Sequence, residues 1–214
     1  YDTYIFDLDG TLLNTLEDLT ASTNYALRTH HFPMHPANDI RRFVGNGIRS
    51  LIIRALPGGE QNEAFESVFE TFQQHYLKHS LDHTRPYDGI DNMLRQLKSQ
   101  GKHLAVVSNK FCTATEELCH HFFADTIELA IGENEAAGIR KKPAPDTVFE
   151  ALRKLGASAN HAVYVGDSDV DILTARHAGL PCISVLWGFR DRDFLLAHGA
   201  TTFVKHPAEI ICQP

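Results

Sequence analysis

The stretch YIFDLDGTLL at residues 4–13 ends an apolar run on two carboxylates, Asp7 and Asp9, and follows them at once with Gly10 and Thr11. In an extended strand residues i and i+2 share a face, so if the strand persists that far both aspartates point the same way while Leu8 turns from them. Like charges so placed stay ionised together only beside a cation; otherwise one takes up a proton at neutral pH. Further carboxylates follow in VGDSDVD, which holds Asp167, Asp169 and Asp171, while HLAVVSNK and IRKKPAPD add Ser108, Asn109, Lys141 and Lys142. Three or more carboxylates with few cationic neighbours form a hard-oxygen site that suits Mg²⁺ better than zinc or copper. A metal would hold Asp7 and Asp9 together, and a hydroxyl and a lysine beside it are what a phosphoryl group needs, because its transfer depends on positioning and on neutralised oxygens.

The elements that must bring these residues together are short apolar runs, each ending in small or polar residues: 3–10, 103–110, 161–169 and 181–188, with weaker candidates at 126–132 and 201–204. Runs apolar on both faces suit a parallel sheet covered by helices. Between them lie amphipathic stretches at 89–101, 145–157 and 171–180, each with a glycine near its end. The β-α-β-α alternation predicts an α/β fold with a Rossmann-like parallel sheet, whose ligands gather at the carboxyl ends of the strands. Residues 16–85 carry only helical periods, as in EDLTASTNYALRTH, IRSLIIRAL and NEAFESVFETFQQHYLKH, broken by FPMHP and LPGGE. The expected division is therefore a core of residues 1–15 and 86–214 and an inserted helical cap of residues 16–85, placed over the strand ends that carry Asp7 and Asp9.

Composition narrows the function classes. A chain of 214 residues with 43% hydrophobic content can bury a proper core. Lys and Arg total 20 against 27 Asp and Glu, a net charge of −7, so neither a nucleic-acid stripe nor a polybasic membrane surface is expected. No apolar stretch approaches the roughly 20 residues of a membrane span, and the N-terminus shows no signal-peptide pattern, which predicts a cytoplasmic protein. Tyr1 is not an initiator, so an initiator or a few residues are expected before it. The four cysteines are scattered without a C-x-x-C pair and the 13 histidines include no H-E-x-x-H, which argues against zinc and against a disulfide framework.

Four motifs occur in order: DLDGT at 7–11, Ser108 in VVSN at a strand end, Lys142 in KKPAPD, and GDSDVD at 166–171. With them the chain resembles the haloacid dehalogenase superfamily of phosphatases with a helical cap, and is most similar to the phosphoglycolate phosphatase group. The resemblance implies that Asp7 is the nucleophile that becomes an aspartyl phosphate and that Asp9 is the general acid, then the base that activates water. It further implies Mg²⁺ held by the Asp7 side chain, the Asp9 backbone carbonyl and Asp167, with Asp171 in direct or water-mediated support. Ser108, Asn109 and Lys142 would hold phosphate oxygens together with backbone amides after Asp9; Gly10 would permit the turn and Thr11 would hydrogen-bond the nucleophile. The implied partner is a small phosphate ester, with 2-phosphoglycolate foremost.

Other readings stand beside these. Aspartates often cap helices, a role that fits Asp169 more readily than Asp167 or Asp171; Lys141 or Lys142 could be merely solvated, and Ser108 could be a strand-end cap. In the cap, Gly45-Asn46-Gly47 before a helical period can present backbone amides to an anion, with Arg41, Arg42 and Arg49 adding positive charge. The similar V-G-N-G stretch of the phosphoglycolate phosphatase group makes Gly45, Asn46, Gly47 and Arg49 the candidate reader of a substrate carboxylate; an ordinary interhelical turn is the alternative. A pyrophosphatase, a sugar-phosphate or nucleotide phosphatase and a phosphomutase share the core motifs. A dehalogenase needs neither Asp9 nor a metal, and a silent binding module would not need both aspartates.

Overall fold

A computed structural model of the chain describes residues 1–212. The chain runs β1 (Thr3–Phe6), β2 (Leu13–Asn14), α1 (Leu16–Thr29), α2 (Ala37–Phe43), α3 (Ile48–Ala55), α4 (Phe65–His79), β3 (Arg85–Pro86) and α5 (Ile90–Ser99). It continues through β4 (His103–Phe111), α6 (Cys112–Phe123), β5 (Leu129–Glu133), α7 (Asp146–Leu155), β6 (Ala162–Gly166), α8 (Asp169–Ala178), β7 (Cys182–Val185), α9 (Arg192–Ala197), β8 (Thr202–Val204) and α10 (Ala208–Ile211).

Six strands form one parallel sheet in the order β5-β4-β1-β6-β7-β8. Alternate residues of the central strands feed two separate cores: Tyr4, Phe6, Leu104, Val106, Val163 and Val165 pack on one face, and Ile5, Ala105, Val107 and Tyr164 on the other. Burial on both faces is why these segments are continuous apolar runs rather than alternating ones. The chain leaves β1 toward β4 and β5, then returns to build β6, β7 and β8 on the opposite side. The direction of winding therefore reverses between β1 and β6, and in open α/β sheets the crevice at that reversal, outside the carboxyl ends, is where ligands bind. Asp7 follows β1 and Asp167 follows β6.

The inserted helices α1 to α4 have a core of their own, centred on Leu19, Leu27, Ile40, Ile52, Phe65, Phe72 and Tyr76 and closed by Phe189 and Ala114 from outside the insertion. At its two ends β2 and β3 pair antiparallel through Leu13 with Pro86 and Asn14 with Arg85, so the chain leaves and rejoins the sheet at one place. The pair is two residues long on each side, too short to read in sequence. The four cysteines are free thiols, and no helix among the described residues is long and apolar enough to cross a membrane.

Candidate active site

Strand β1 ends at Phe6, one residue before the first aspartate. Asp7 N–H continues the ladder to Val165 O at 2.9 Å, and the chain then folds into a tight turn closed by Leu12 N–H to Leu8 O and Gly10 N–H to Leu13 O. Asp9 therefore sits in the turn, not on the strand face it would share with Asp7. Each carboxylate has its own lysine: Lys142 Nζ lies 2.8 Å from Asp7 Oδ1, and Lys110 Nζ lies 3.0 Å from Asp9 Oδ1. Asp9 Oδ1 also accepts from Thr15 Oγ1 at 2.6 Å. Thr15 is the N-cap residue of α1, yet its hydroxyl makes no capping bond there. The helix start gives up its usual cap to hold Asp9.

Gly10 adopts φ +87°, and a Cβ there would collide with Asp167 Oδ2; one at Gly188 would collide with Asp167 Cβ and Gly10 O. Two glycines thus let the Asp167 carboxylate lie against the turn. Asp167 Oδ2 accepts from Phe189 N–H at 2.6 Å and Oδ1 from Thr11 Oγ1 at 3.3 Å. Thr11 holds Asp167, not the Asp7 carboxylate expected from the motif.

Lys142 is buried, and its Nζ reaches Asp171 Oδ1 at 2.8 Å and Tyr164 Oη at 3.0 Å as well as Asp7. Burial opposes its charge, but Asp171 and Asp7 outweigh it and hold the ammonium well above its ordinary value. The adjacent lysines part company in position: Lys142 lies in the crevice, while Lys141 pairs with Glu135 outside it at 3.4 Å. Asn109 grips the Lys142 backbone on both sides, accepting from its N–H at 2.8 Å and donating to its carbonyl at 3.0 Å. The Asn109 side-chain amide is therefore engaged in placing Lys142. Ser108 Oγ accepts from Lys110 N–H at 3.2 Å, keeping the hydroxyl hydrogen for another acceptor.

Helix α8 starts with a capping box between Ser168 and Asp171. Asp171 Oδ2 accepts from Ser168 Oγ at 2.6 Å, Ser168 N–H at 3.1 Å and Asp167 N–H at 3.2 Å, while Oδ1 serves Lys142 and Tyr164. The capping role weighed for Asp169 thus belongs to Ser168, with Asp171 as its reciprocal partner.

One carboxylate oxygen from each of Asp7, Asp167 and Asp171 lies within 4.8 Å of the others, all three residues buried. Burial and the Asp171 charge push Asp167 up to about 7, against the Phe189 N–H that lowers it. Burial and Asp171 also raise Asp7 well above the ordinary carboxylate range, although Lys142 opposes them. Buried oxygens that resist ionisation until a cation arrives fit a hard divalent ion. Each Asp167 oxygen accepts one donor and keeps a lone pair for the ion, and Asp7 is paired with Lys142 through Oδ1, whereas each oxygen of Asp171 already accepts two or more donors.

The cavity above these groups measures about 40 Å³. Its polar floor includes Asp7, Asp9, Ser108, Lys110, Lys142 and Asp167, and its roof includes Leu19, Val44, Ile48 and Leu51 from the inserted helices with Gly45 and Gly47. Arg49 is not part of it. Its guanidinium is forked between Glu60 at 2.9 Å and Glu66 at 2.6 Å and stacked over Phe65, so the expectation that it faces substrate is corrected. Asn46 lies in an adjoining outer cleft with Arg41, Arg42 and Arg54. The arginine that lines the cavity is Arg190, which donates to Arg41 O at 2.8 Å and Val44 O at 2.6 Å; Arg41 returns the contact to Gly188 O and Phe189 O. Sequence reasoning missed Arg190, Lys110, Tyr164 and Phe189. Arg190 and Phe189 follow the WG of a recognised strand end, the one local signal that could have pointed to them.

A parallel sheet with an inserted helical segment and acidic residues at the β1/β6 crevice defines a class of hydrolases, and the comparisons agree. The family profile described as "Haloacid dehalogenase-like hydrolase" matches residues 4–185. A phosphoglycolate phosphatase of Neisseria meningitidis is 35% identical over 201 residues, covering 92% of this chain and 85% of that protein. An N-acetylmuramic acid 6-phosphate phosphatase of Pseudomonas aeruginosa is 29% identical, covering 97% and 92%. A solved candidate phosphoglycolate phosphatase from Lactobacillus delbrueckii subsp. bulgaricus superposes with a TM-score of 0.93 at 34% identity, covering 98% of this chain and 96% of that one. The chain belongs to the haloacid dehalogenase-like hydrolase family. Within it, this protein is a phosphoric monoester hydrolase.

Proposed function

We propose that the protein hydrolyses a small phosphomonoester, 2-phosphoglycolate foremost, with Asp7 as the nucleophile. The observation that carries this reading is Asp7 itself: a carboxylate buried at the β1/β6 crevice, 2.8 Å from a buried lysine and grouped with Asp167 and Asp171. Asp7 attacks phosphorus, forming an aspartyl phosphate as the ester oxygen leaves, and Asp9 donates a proton to that oxygen. Asp9 then takes a proton from the water that releases phosphate. Lys142 and Ser108 offer donors to the phosphoryl oxygens. Mg²⁺ would be held by Asp7 and Asp167 with support through Asp171, and would supply charge neutralisation at the phosphoryl oxygens. Residues 1–15 with 86–214 form the catalytic core on this reading, and residues 16–85 the cap that excludes water.

The small, apolar-roofed cavity supports a substrate with a short leaving group, and Arg190, the arginine that lines it, takes the place expected of Arg49. The Pseudomonas relative makes N-acetylmuramic acid 6-phosphate the competing substrate. The two are separated by comparing kcat/KM for 2-phosphoglycolate, N-acetylmuramic acid 6-phosphate, glucose 6-phosphate and p-nitrophenyl phosphate, with and without Mg²⁺. The expected result is Mg²⁺-dependent turnover with 2-phosphoglycolate ahead of both sugar phosphates. A sugar phosphate in the lead would overturn the substrate assignment, and turnover indifferent to Mg²⁺ would overturn the metal.

A further inference from the structure

Lys110 is buried beside Asp9 although nothing in the motif assigns it a role. Its side chain is 1% exposed. Its Nζ lies 3.0 Å from Asp9 Oδ1, donates to Tyr76 Oη at 2.7 Å, and stands 4.5 Å from the centre of the Tyr76 ring. Tyr76 belongs to α4 of the inserted helices, is fully buried, and stacks on Phe72 at 5.6 Å. Burial opposes the lysine charge, but Asp9 and then Tyr76 outweigh it and hold the ammonium above its ordinary value.

A buried ion is costly to desolvate, and an apolar side chain of similar length would pack there more cheaply. What the ion supplies is direction. Lys110 and Thr15 both take Asp9 Oδ1, which leaves Oδ2 as the oxygen available to a substrate. Asp9 is thereby held from three places: Thr15 at the start of the insertion, Lys110 at the end of β4, and, through Lys110, Tyr76 on α4.

We propose that Lys110 is a positioning residue that aims the Asp9 carboxylate at the leaving oxygen, and that Tyr76 makes this aim depend on the seating of α4 over the core. The inference rests on the assignment of Asp9 as the proton donor. An alkyl leaving group such as the glycolate oxygen needs that proton as its bond to phosphorus breaks, whereas p-nitrophenolate departs as a stable anion without it. Misaiming Asp9 therefore slows the first substrate selectively, while general damage to the site slows both.

The test measures kcat/KM, which reports the step that breaks the ester bond, for 2-phosphoglycolate and p-nitrophenyl phosphate in Asp9→Asn, Lys110→Met, Tyr76→Phe and the last two combined. Asp9→Asn sets the scale, with an expected loss of about 10²- to 10⁴-fold on the alkyl ester, the usual worth of a positioned acid, and a much smaller one on the aryl ester. Lys110→Met is expected to lose at least about tenfold more on the alkyl ester than on the aryl ester, a difference of about 1.4 kcal/mol in barrier. Tyr76→Phe, which removes one oxygen and keeps the buried ring, is expected to shift the same ratio in the same direction. The combined variant should lose less than the product of the two, because the residues act through one contact. If Asp9→Asn shows the split and neither Lys110→Met nor Tyr76→Phe does, the positioning role is wrong while the acid stands. If Asp9→Asn shows no split, the assignment of Asp9 falls and the inference with it. Should Lys110→Met fail to fold, Tyr76→Phe decides alone.

Discussion

Lys142 Nζ lies 2.8 Å from Asp7 Oδ1, and the same ammonium is 2.8 Å from Asp171 Oδ1. One buried cation thus bridges the carboxylate that follows β1 and the one inside α8, on opposite sides of the sheet reversal. Asp167 has no lysine within that network; its partners are the Phe189 N–H and the Thr11 hydroxyl. The acidic centre therefore holds more negative charge than its lysine neutralises, which is the condition under which a bound cation and protons compete.

That competition gives a pH dependence. Asp167 is raised from 3.8 to about 7 by burial and by Asp171, so the folded protein holds a proton that the unfolded chain releases. A raised carboxylate gives its full stability contribution below about pH 4 and loses it as pH climbs toward 7. A divalent ion favours the ionised form and restores what was lost. The gain in Tm on adding Mg²⁺ should accordingly be larger at pH 8 than at pH 5.5, measured by thermal denaturation in EDTA and in Mg²⁺ at each pH. An equal gain, or a larger one at pH 5.5, would mean that the ion does not bind these carboxylates.

Asp167 and Asp169 of GDSDVD should separate in a metal titration. Asp167→Ala removes a carboxylate that carries a single donor on each oxygen and so keeps lone pairs for the ion, and is expected to raise the Mg²⁺ concentration for half-maximal activity by at least about tenfold, within the loss usual for a disturbed metal site. Asp169, at the first turn of α8 and half-buried, should leave that concentration nearly unchanged on replacement by Ala. Superimposable titrations of the two variants would show the ligand assignment to be wrong.

Arg49 and Arg190 should differ in the opposite sense from the sequence expectation. Arg49→Ala breaks pairs with Glu60 and Glu66 on the surface, and the ratio of kcat/KM for 2-phosphoglycolate over p-nitrophenyl phosphate should stay within about twofold of wild type, since exposed pairs contribute little. Arg190→Ala removes the arginine that lines the cavity and ties Arg41 O and Val44 O to the core. It should reduce that ratio by at least about tenfold, roughly 1.4 kcal/mol of lost discrimination. Retained selectivity in Arg190→Ala would remove it from the substrate site.

The part of this architecture legible in the sequence was the part fixed by local pattern. Apolar runs 3–10 and 161–169 read as buried strands because both of their faces are covered, and the residue types at their ends marked the crevice. Serine followed three residues later by Asp171 is a capping-box signature, but three aspartates at alternate positions suggest metal first and hide Ser168 as the cap. Lys110 and Arg49 were illegible or misread for a different reason: their partners come from distant elements. Lys110 takes its burial from Tyr76, 34 residues earlier in the chain, and Arg49 its direction from Glu60 and Glu66. Helical periodicity says which face is apolar, not which glutamate a neighbouring arginine meets. Asn109 shows the same limit, since its amide closes on the backbone of Lys142, 33 residues away.

The central claim is covalent catalysis by Asp7, and its most direct measurement is the mass of the Asp7-containing peptide from enzyme acid-quenched during turnover of p-nitrophenyl phosphate in Mg²⁺, alongside the steady-state rate of Asp7→Asn. Asparagine nearly matches aspartate in shape but cannot attack phosphorus, so the fold should persist by circular dichroism. The account predicts a phosphoryl mass increment on that peptide in the wild type, none in the variant, and a turnover loss of at least about 10³-fold, or about 4 kcal/mol of barrier. An unmodified Asp7 peptide together with residual Asp7→Asn activity within about tenfold of wild type would contradict it.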